Sequence, residues 1–404
     1  MDQIKPRTLK GFRDFLPKEA KKRQYVIRQL AEVFESFGFE PLETPALEYE
    51  EILLGKYGGE GDKLMYRFKD RGGRKVAMRY DQTVPLARVV AQGLNELPIP
   101  FKRYQIQNVW RAENTQKGRY REFLQCDIDT VGSSSLLSDA EIIACAINAA
   151  KSLGFKNLAM NINDRDIFIG VETKWMVIID KLPKIGKEAV KKELMKGMSE
   201  KDAKKILNDL MTGSLTPKLS KLFSYLESMG LKLGKDFKFD PTIVRGLDYY
   251  TSIIFELIDP NKPGFSLGGG GRYDNLIGVF ANRNIPAVGF SFGFDRLIEA
   301  MEELKLFPDE LSNNVLVTIF AESLLKKSQE LTLILRRNRV NCELYLNENA
   351  PLEKQLKYAD KKGISYVLII GPKEIKENKV TIKNLKTGDQ KTEAIEKILE
   401  EIKN

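Results

Sequence analysis

Between Phe101 and Gly132 the chain places Arg103, Gln105, Gln107, Val109 and Arg111 at alternate positions, then Arg121, Phe123, Gln125, Asp127 and Asp129 at the same spacing. A period of two puts each set on one face of a β-strand, and the polar stretch around Gly118 joins the two as an antiparallel hairpin. Leu124, Cys126 and Ile128 fall out of phase and can pack on a core, which turns Arg111, Gln125, Asp127 and Asp129 the other way. Such a face can hold a polar ligand. It can equally be a solvated sheet surface closed by cross-strand ion pairs, and spacing alone weighs the two alike.

The chain has no histidine among its 404 residues. That removes Ser-His-Asp and Cys-His nucleophiles, histidine metal sites and imidazole general bases together. Chemistry must run on carboxylates, arginines, amides and substrate groups. Cys126, Cys145 and Cys342 are odd in number and scattered, which argues against a disulfide framework or zinc knuckle and suits a reducing, cytoplasmic setting. Met1 to Lys10 has no apolar run, and no stretch approaches the ~18 apolar residues a membrane span needs, so neither secretion nor membrane insertion is expected. With 42% hydrophobic residues the chain can bury cores for two or three domains. A net charge of +9 suits a polyanionic partner, although lysine-rich composition alone gives the same balance.

Several elements must position the polar face. After Gly11-Phe12-Arg13-Asp14-Phe15-Leu16-Pro17, residues Ile27, Leu30, Val33, Phe34 and Phe37 recur at helical spacing, with Pro17 and Gly38 as start and stop signals. Phe39 to Leu47, with Pro41 and Pro45, reads as an extended edge. Lys75 to Tyr80 reads as a strand leaving through Asp81-Gln82-Thr83-Val84-Pro85 into a helix, with Thr83 as N-cap and Pro85 in the first turn. Ser138 to Leu153 is an amphipathic helix that buries Ile142, Ile143, Ala146, Ile147 and Ala150. From about Arg165 to Asp240, helical segments carry Lys187, Lys191, Lys192, Lys196, Lys201, Lys204 and Lys205, a pattern that by itself describes solvated helix faces.

Ser252 to Ile258 is an apolar strand, and the glycine run Gly268 to Gly271 beside it permits tight turns or close backbone approach. The run lacks the spacing of a dinucleotide or Walker loop. Ala287 to Gly293 is a strand entering a helix at Phe294-Asp295-Arg296-Leu297, where Arg296 opposes the macrodipole unless an anion sits there. Beyond Phe307-Pro308-Asp309-Glu310, the apolar runs Val315 to Phe320, Cys342 to Leu346 and Tyr366 to Ile370 alternate with helices, the order of a small α/β domain with a parallel sheet.

Arg111-Ala112-Glu113 followed by Gly118-Arg119-Tyr120-Arg121-Glu122-Phe123-Leu124-Gln125 resembles motif 2 of the class II aminoacyl-tRNA synthetases, in its histidyl-tRNA synthetase form. Arg245-Gly246-Leu247-Asp248-Tyr249-Tyr250-Thr251 resembles a signature of that same family, and Gly268-Gly269-Gly270-Gly271-Arg272-Tyr273-Asp274 resembles its second histidine motif, whose glycines leave room for substrate. Phe39 to Leu47 resembles motif 1, Arg79-Tyr80-Asp81-Gln82-Thr83 resembles the amino-acid pocket, and Ala287 to Arg296 resembles motif 3. The last segment is similar to the anticodon-binding domain shared by histidyl-, prolyl-, threonyl- and glycyl-tRNA synthetases.

The resemblance implies an α+β catalytic domain on the antiparallel class II synthetase sheet, its parts at 1–164 and 241–306, with a helical insertion at 165–240 near the tRNA acceptor arm and a C-terminal α/β anticodon-binding domain at 314–404. It implies activation of histidine by ATP to histidyl-adenylate and pyrophosphate, then transfer to the terminal adenosine of a histidine-specific tRNA. Arg111 and Arg245 are the implied catalytic residues, stabilising charge on the α-phosphate. Asp81, Thr83, Arg111, Gln125, Asp129, Arg245, Tyr249 and Tyr250 would bind histidine, with Asp81 and Thr83 at the α-ammonium group and the tyrosines at the ring. Arg111, Glu113, Arg119 and Arg296 would bind ATP, with Mg²⁺ screening the remaining charge through ligands that the resemblance does not name. Motif 1 implies a homodimer.

A second protein of this fold, the catalytically inactive regulatory subunit of ATP phosphoribosyltransferase, generally loses the signature residues and the C-terminal domain, and both are present here. Arg245 to Tyr250 disfavour another class II synthetase. Asn114 stands where many bacterial members carry an arginine implicated in reading the tRNA's extra 5′ guanosine. With no imidazole in the chain, the substrate ring is the group expected to titrate at about pH 6 to 7, Asp81 and Asp129 being lowered where they pair with the substrate's ammonium group or ring.

Overall fold

The computed structural model describes residues 4–54, 64–115, 118–168, 172–179, 181–211, 213–244, 249–260, 266–308, 311 and 315–403. Two compact units divide the chain, Met1–Phe307 and Pro308–Asn404.

The strands of the first unit are β1 (Glu40–Pro41), β2 (Leu47–Tyr49), β3 (Arg67–Lys69), β4 (Lys75–Met78), β5 (Phe101–Trp110), β6 (Glu122–Val131), β7 (Ala159–Asp164), β8 (Phe237–Phe239), β9 (Ile253–Ile258), β10 (Ser266–Arg272) and β11 (Ala287–Gly293). Eight of them form one sheet in the order β1-β5-β6-β11-β10-β9-β7-β8. The pairings are antiparallel except at the two edges, where β1 runs parallel to β5 and β8 parallel to β7. This is the antiparallel sheet the resemblance implied, with the hairpin β5–β6 one strand in from its β1 edge. Short β2, β4 and β3 form a separate sheet, so Phe39 to Leu47 is an edge strand of two residues followed by an extended run into β2.

Alternation decides which face does what. Cys126, Ile128, Val288, Phe290, Phe292, Phe255, Leu257 and Met160 share one face and form the main core with helices Pro17–Ser36, Leu136–Ser152 and Pro217–Ser228. Helix Leu136–Ser152 is buried on nearly every side, and Ser135 caps it by accepting from the Leu137 amide at 3.2 Å. Each fully buried Ile or Leu in this layer contributes roughly 1.5–3 kcal/mol of transfer free energy. The opposite face keeps the polar residues.

Within the lysine-rich stretch, helices Lys187–Leu194 and Glu200–Met211 join Val190, Leu194, Ala203 and Leu207 in a small core of their own. The next helix, Pro217–Ser228, sends Leu219, Leu222, Phe223 and Leu226 into the main core instead. Some of the lysine charge is answered locally, since Lys191 and Lys204 both pair with Glu200, at 2.8 and 2.9 Å.

The second unit holds β12 (Val315–Val317), β13 (Cys342–Leu344), β14 (Tyr366–Ile369), β15 (Val380–Asn384) and β16 (Gln390–Glu393) in the order β13-β12-β14-β15-β16. The three strands expected from apolar runs are parallel, but β15 and β16 extend the sheet antiparallel, so it is mixed rather than parallel. Gln390-Lys391-Thr392-Glu393 is a polar edge strand whose composition gives no apolar signal.

Candidate active site

Cross-strand register assembles the site on the polar face in three rows. Arg103 opposes Asp129, which opposes Gly289; Gln105 opposes Asp127, which opposes Ser291; Gln107 opposes Gln125, which opposes Gly293. Arg103 is fully buried, and its Nη2 lies 2.6 Å from Asp129 Oδ2 and 4.0 Å from Asp127 Oδ2. Asp129 Oδ1 accepts the Tyr273 hydroxyl. Gln125 Nε2 donates to Asp127 Oδ2 at 2.7 Å, leaving Asp127 Oδ1 and Gln125 Oε1 buried without a hydrogen-bond partner among the described residues.

The glycines shape this floor by what they omit. A Cβ on Gly289 would stand 1.9 Å from Asp129 Oδ1 and one on Gly271 would meet the Tyr250 ring at 2.8 Å, whereas Gly270 lies on the core face, where a Cβ would stand 2.0 Å from the Gly289 carbonyl and 2.7 Å from Phe255. At Gly271 the space left by the missing side chain lies against the Tyr250 ring.

Asp81 and Thr83 enter from the turn between β4 and helix Thr83–Gln92. The N-cap is Gln82 rather than Thr83, which is the first helical residue, and the capping contact comes from Asp81 Oδ1, which accepts from the Val84 amide at 3.2 Å. Buried Gln82 cannot serve as cap because its Nε2 straps the turn to the hairpin, donating to the Gln107 and Gln125 carbonyls at 2.9 and 3.2 Å. Arg111 joins the same turn by donating from Nε to the Tyr80 carbonyl at 3.0 Å, and its guanidinium lies 4.9 Å from the Phe123 ring centre. Tyr249 packs on Tyr250 with ring centres 4.6 Å apart and edge-on to Tyr273 at 5.8 Å. Asp81 lies close enough to Tyr249 to help raise its pKa, behind the larger effect of burial.

Burial governs the acids here. It pushes Asp81 up to about 6, against the opposing effects of the Val84 amide, Arg111 and Arg103. It pushes Asp127 up to about 7 despite Arg103, with Asp129 adding to the rise. Asp129 is raised as well, again by burial and against Arg103. Within the chain itself, one guanidinium does not offset the desolvation of the acids around it.

Arg119 and Arg296 are exposed and Glu113 is half-buried. Arg119 Nη1 is 3.7 Å from Glu113 Oε2, with both side chains partly exposed, and Arg296 Nη1 donates to the Ser266 carbonyl at 3.1 Å. Arg296 sits in the first turn of helix Phe294–Glu303, as its sequence position suggested. Arg245 lies outside the described residues, together with Gly246, Leu247 and Asp248.

Arg103 has no role in the sequence reading, and Arg79 has none beyond its place in the run that resembles the amino-acid pocket. Arg79 Nη1 donates to the Thr44 carbonyl at 2.6 Å and to Gln107 Oε1 at 2.8 Å, and Gln105 Nε2 reaches Gln107 Oε1 at 2.7 Å. These bonds tie the segment before β2 to the hairpin. An arginine at an inward position of a strand, opposite a carboxylate in hairpin register, was the signal available for Arg103.

The comparisons with known proteins agree over the whole length. A profile of the family described as Histidyl-tRNA synthetase matches residues 11–230 and 187–297, and one described as Anticodon binding domain matches 313–404. The histidine–tRNA ligase of Cytophaga hutchinsonii is 40% identical over 440 aligned positions, covering 96% of this chain and 97% of its own. The crystal structure of histidyl-tRNA synthetase from Nostoc sp. PCC 7120 superposes with a TM-score of 0.87 at 30% identity, covering 99% of each chain. A Bacillus halodurans C structure described as an ATP phosphoribosyltransferase regulatory subunit/histidyl-tRNA synthetase reaches 0.72 at 26% identity, covering 88% of this chain and 97% of its own. With an antiparallel sheet that gathers Asp81, Arg111, Gln125, Asp129 and the tyrosines on one face, and with family profiles matched from residue 11 to 297 and from 313 to 404, the chain belongs to the histidyl-tRNA synthetase family of class II aminoacyl-tRNA synthetases.

Proposed function

We propose that the protein is a histidine–tRNA ligase. The histidine carboxylate attacks the α-phosphorus of ATP, pyrophosphate leaves, and the aminoacyl group of the adenylate then passes to the terminal adenosine of tRNA. The observation that carries this reading is the buried cluster of Arg103, Asp127 and Asp129 beside Asp81, whose excess of acid suits a cationic amino acid. Asp81, Thr83 and Gln125 face the α-ammonium group, Tyr249 and Tyr250 wall the ring, and Asp129 acts on it with Tyr273. Arg111 and Arg245 carry the charge that develops on the α-phosphate. No protein nucleophile is needed, since the substrate carboxylate attacks.

Arg119, Glu113 and Arg296 hold ATP. Glu113, a partly exposed carboxylate 3.7 Å from Arg119, is the group that would add a ligand to Mg²⁺ carried by the nucleotide phosphates. Bound there, the ion would neutralise phosphate charge.

Leu47, Tyr49 and Phe68 are about half exposed on the small sheet that follows motif 1, and this apolar surface supports a homodimer. No helix among the described residues is long and apolar enough to cross a membrane, and the cytoplasm is the proposed compartment. Charging of tRNA with labelled histidine tests the whole reaction. A catalytically inactive regulatory subunit would give none.

A further inference from the structure

The segment Gly11 to Phe15 has no assigned role, yet it touches both elements that carry the proposed ATP-binding arginines. Its Gly11 carbonyl accepts from the Arg121 amide at 2.9 Å, two residues from Arg119. Gly11 has φ +88°, and a Cβ there would stand 2.7 Å from Thr115 and 2.8 Å from the Arg121 side chain, so the backbone lies flat against the motif 2 loop. The Arg13 guanidinium stacks 3.2 Å from the Tyr120 ring centre and donates from Nη2 to Asp295 Oδ2 at 2.8 Å. Asp295 immediately precedes Arg296. Its other oxygen takes Arg23 Nη1 at 2.6 Å, and Arg23 in turn lies over Phe15 at 4.0 Å and Phe294 at 4.8 Å.

We infer that Arg13 is a positioning residue for ATP: stacked on Tyr120 and paired with Asp295, it fixes the motif 2 loop against the start of helix Phe294–Glu303 and so sets the spacing of Arg119 and Arg296. The inference rests on the proposed assignment of those two arginines to ATP. A planar guanidinium is suited to this because it can stack and form a directed ion pair at once, which an ammonium group cannot. Asp295, held between two guanidiniums and lying in the first turn of its helix, is fixed in place independently of substrate. Among the described residues, none of the contacts of Arg13 lie at the histidine end.

The test uses the full-length protein in ATP–pyrophosphate exchange, with direct calorimetry of histidine binding. Arg13→Ala is expected to raise the KM for ATP about tenfold, equivalent to about 1.4 kcal/mol, with the histidine dissociation constant within twofold of the starting protein. Arg13→Lys keeps the charge but loses the stack, and is expected to fall between the two. Asp295→Asn should raise the ATP KM, and combined with Arg13→Ala should cost less than the sum of the two changes. If Arg13→Ala is insoluble, Arg13→Lys and Asp295→Asn carry the comparison. An unchanged ATP KM, or parallel losses for ATP and histidine, would overturn the inference. Absence of histidine-dependent exchange in the starting protein would instead remove the ligase reading.

Discussion

Arg103 and Asp129 stand opposite each other across β5 and β6, both buried, with Nη2 and Oδ2 2.6 Å apart. The pair lies within the sheet rather than at its surface, and Asp127 one row away shares the same guanidinium. Replacing Arg103 by Leu leaves two buried acids without their cation. A loss of about 3–5 kcal/mol in unfolding free energy is expected, measured by urea denaturation at pH 7.5, and unaltered stability would contradict the charge arrangement described here.

Gly289 supplies a second prediction. Its replacement by Ala puts a methyl carbon 1.9 Å from Asp129 Oδ1, so the carboxylate must swing out and release Tyr273. Histidine affinity should fall by about tenfold or more, while the KM for ATP stays near its starting value. Calorimetry with histidine and exchange kinetics with ATP separate the two.

The hairpin and its polar face were legible because ten-residue strands with strict alternation carry a strong period-two signal, and Gln125, Asp127 and Asp129 proved to share one face as read. The pKa of those acids was not legible. It is set first by burial, and then in part by Ser291 beside Asp127 and Tyr273 beside Asp129, brought alongside by β11 and the turn after β10 from more than a hundred residues away. Thr83 looked like a cap on local chemistry, yet the carboxylate two residues earlier does the capping because Gln82 is drawn to the hairpin carbonyls. In the second unit, apolar runs marked β12, β13 and β14, whereas the short polar β16 left no such trace.

The raised acids make stability depend on pH in a direction that can be checked. Asp127 is faced by Arg103, Asp129, Gln125 and Ser291, and Asp81 by Arg111, Arg103, Asp129 and Tyr249. With folded values of about 7 and about 6 against 3.8 for the free group, the folded protein binds more protons than the unfolded chain between these limits. Their contribution to stability therefore falls as pH rises from about 4 to about 7 and is least favourable above 7. Asp127→Asn should flatten the upper part of this dependence in ligand-free protein, read as the unfolding midpoint against pH. A slope unchanged by the substitution would place the titrating group elsewhere.

Removal of the second unit, beginning at Pro308, separates two activities. The first unit holds its own cores and the whole described site, so histidine-dependent pyrophosphate exchange should persist while tRNA charging drops by at least about tenfold, as expected when contacts to a polyanionic partner are lost. Equal loss in both assays would mean that the second unit supports the catalytic one.

The central claim is that this pocket selects histidine and activates it with ATP. ATP–pyrophosphate exchange measured with each of the standard amino acids in turn tests that most directly. Exchange with histidine alone, abolished by Arg245→Ala in a soluble protein, is the predicted result; exchange with a different amino acid, or none with histidine, would contradict it.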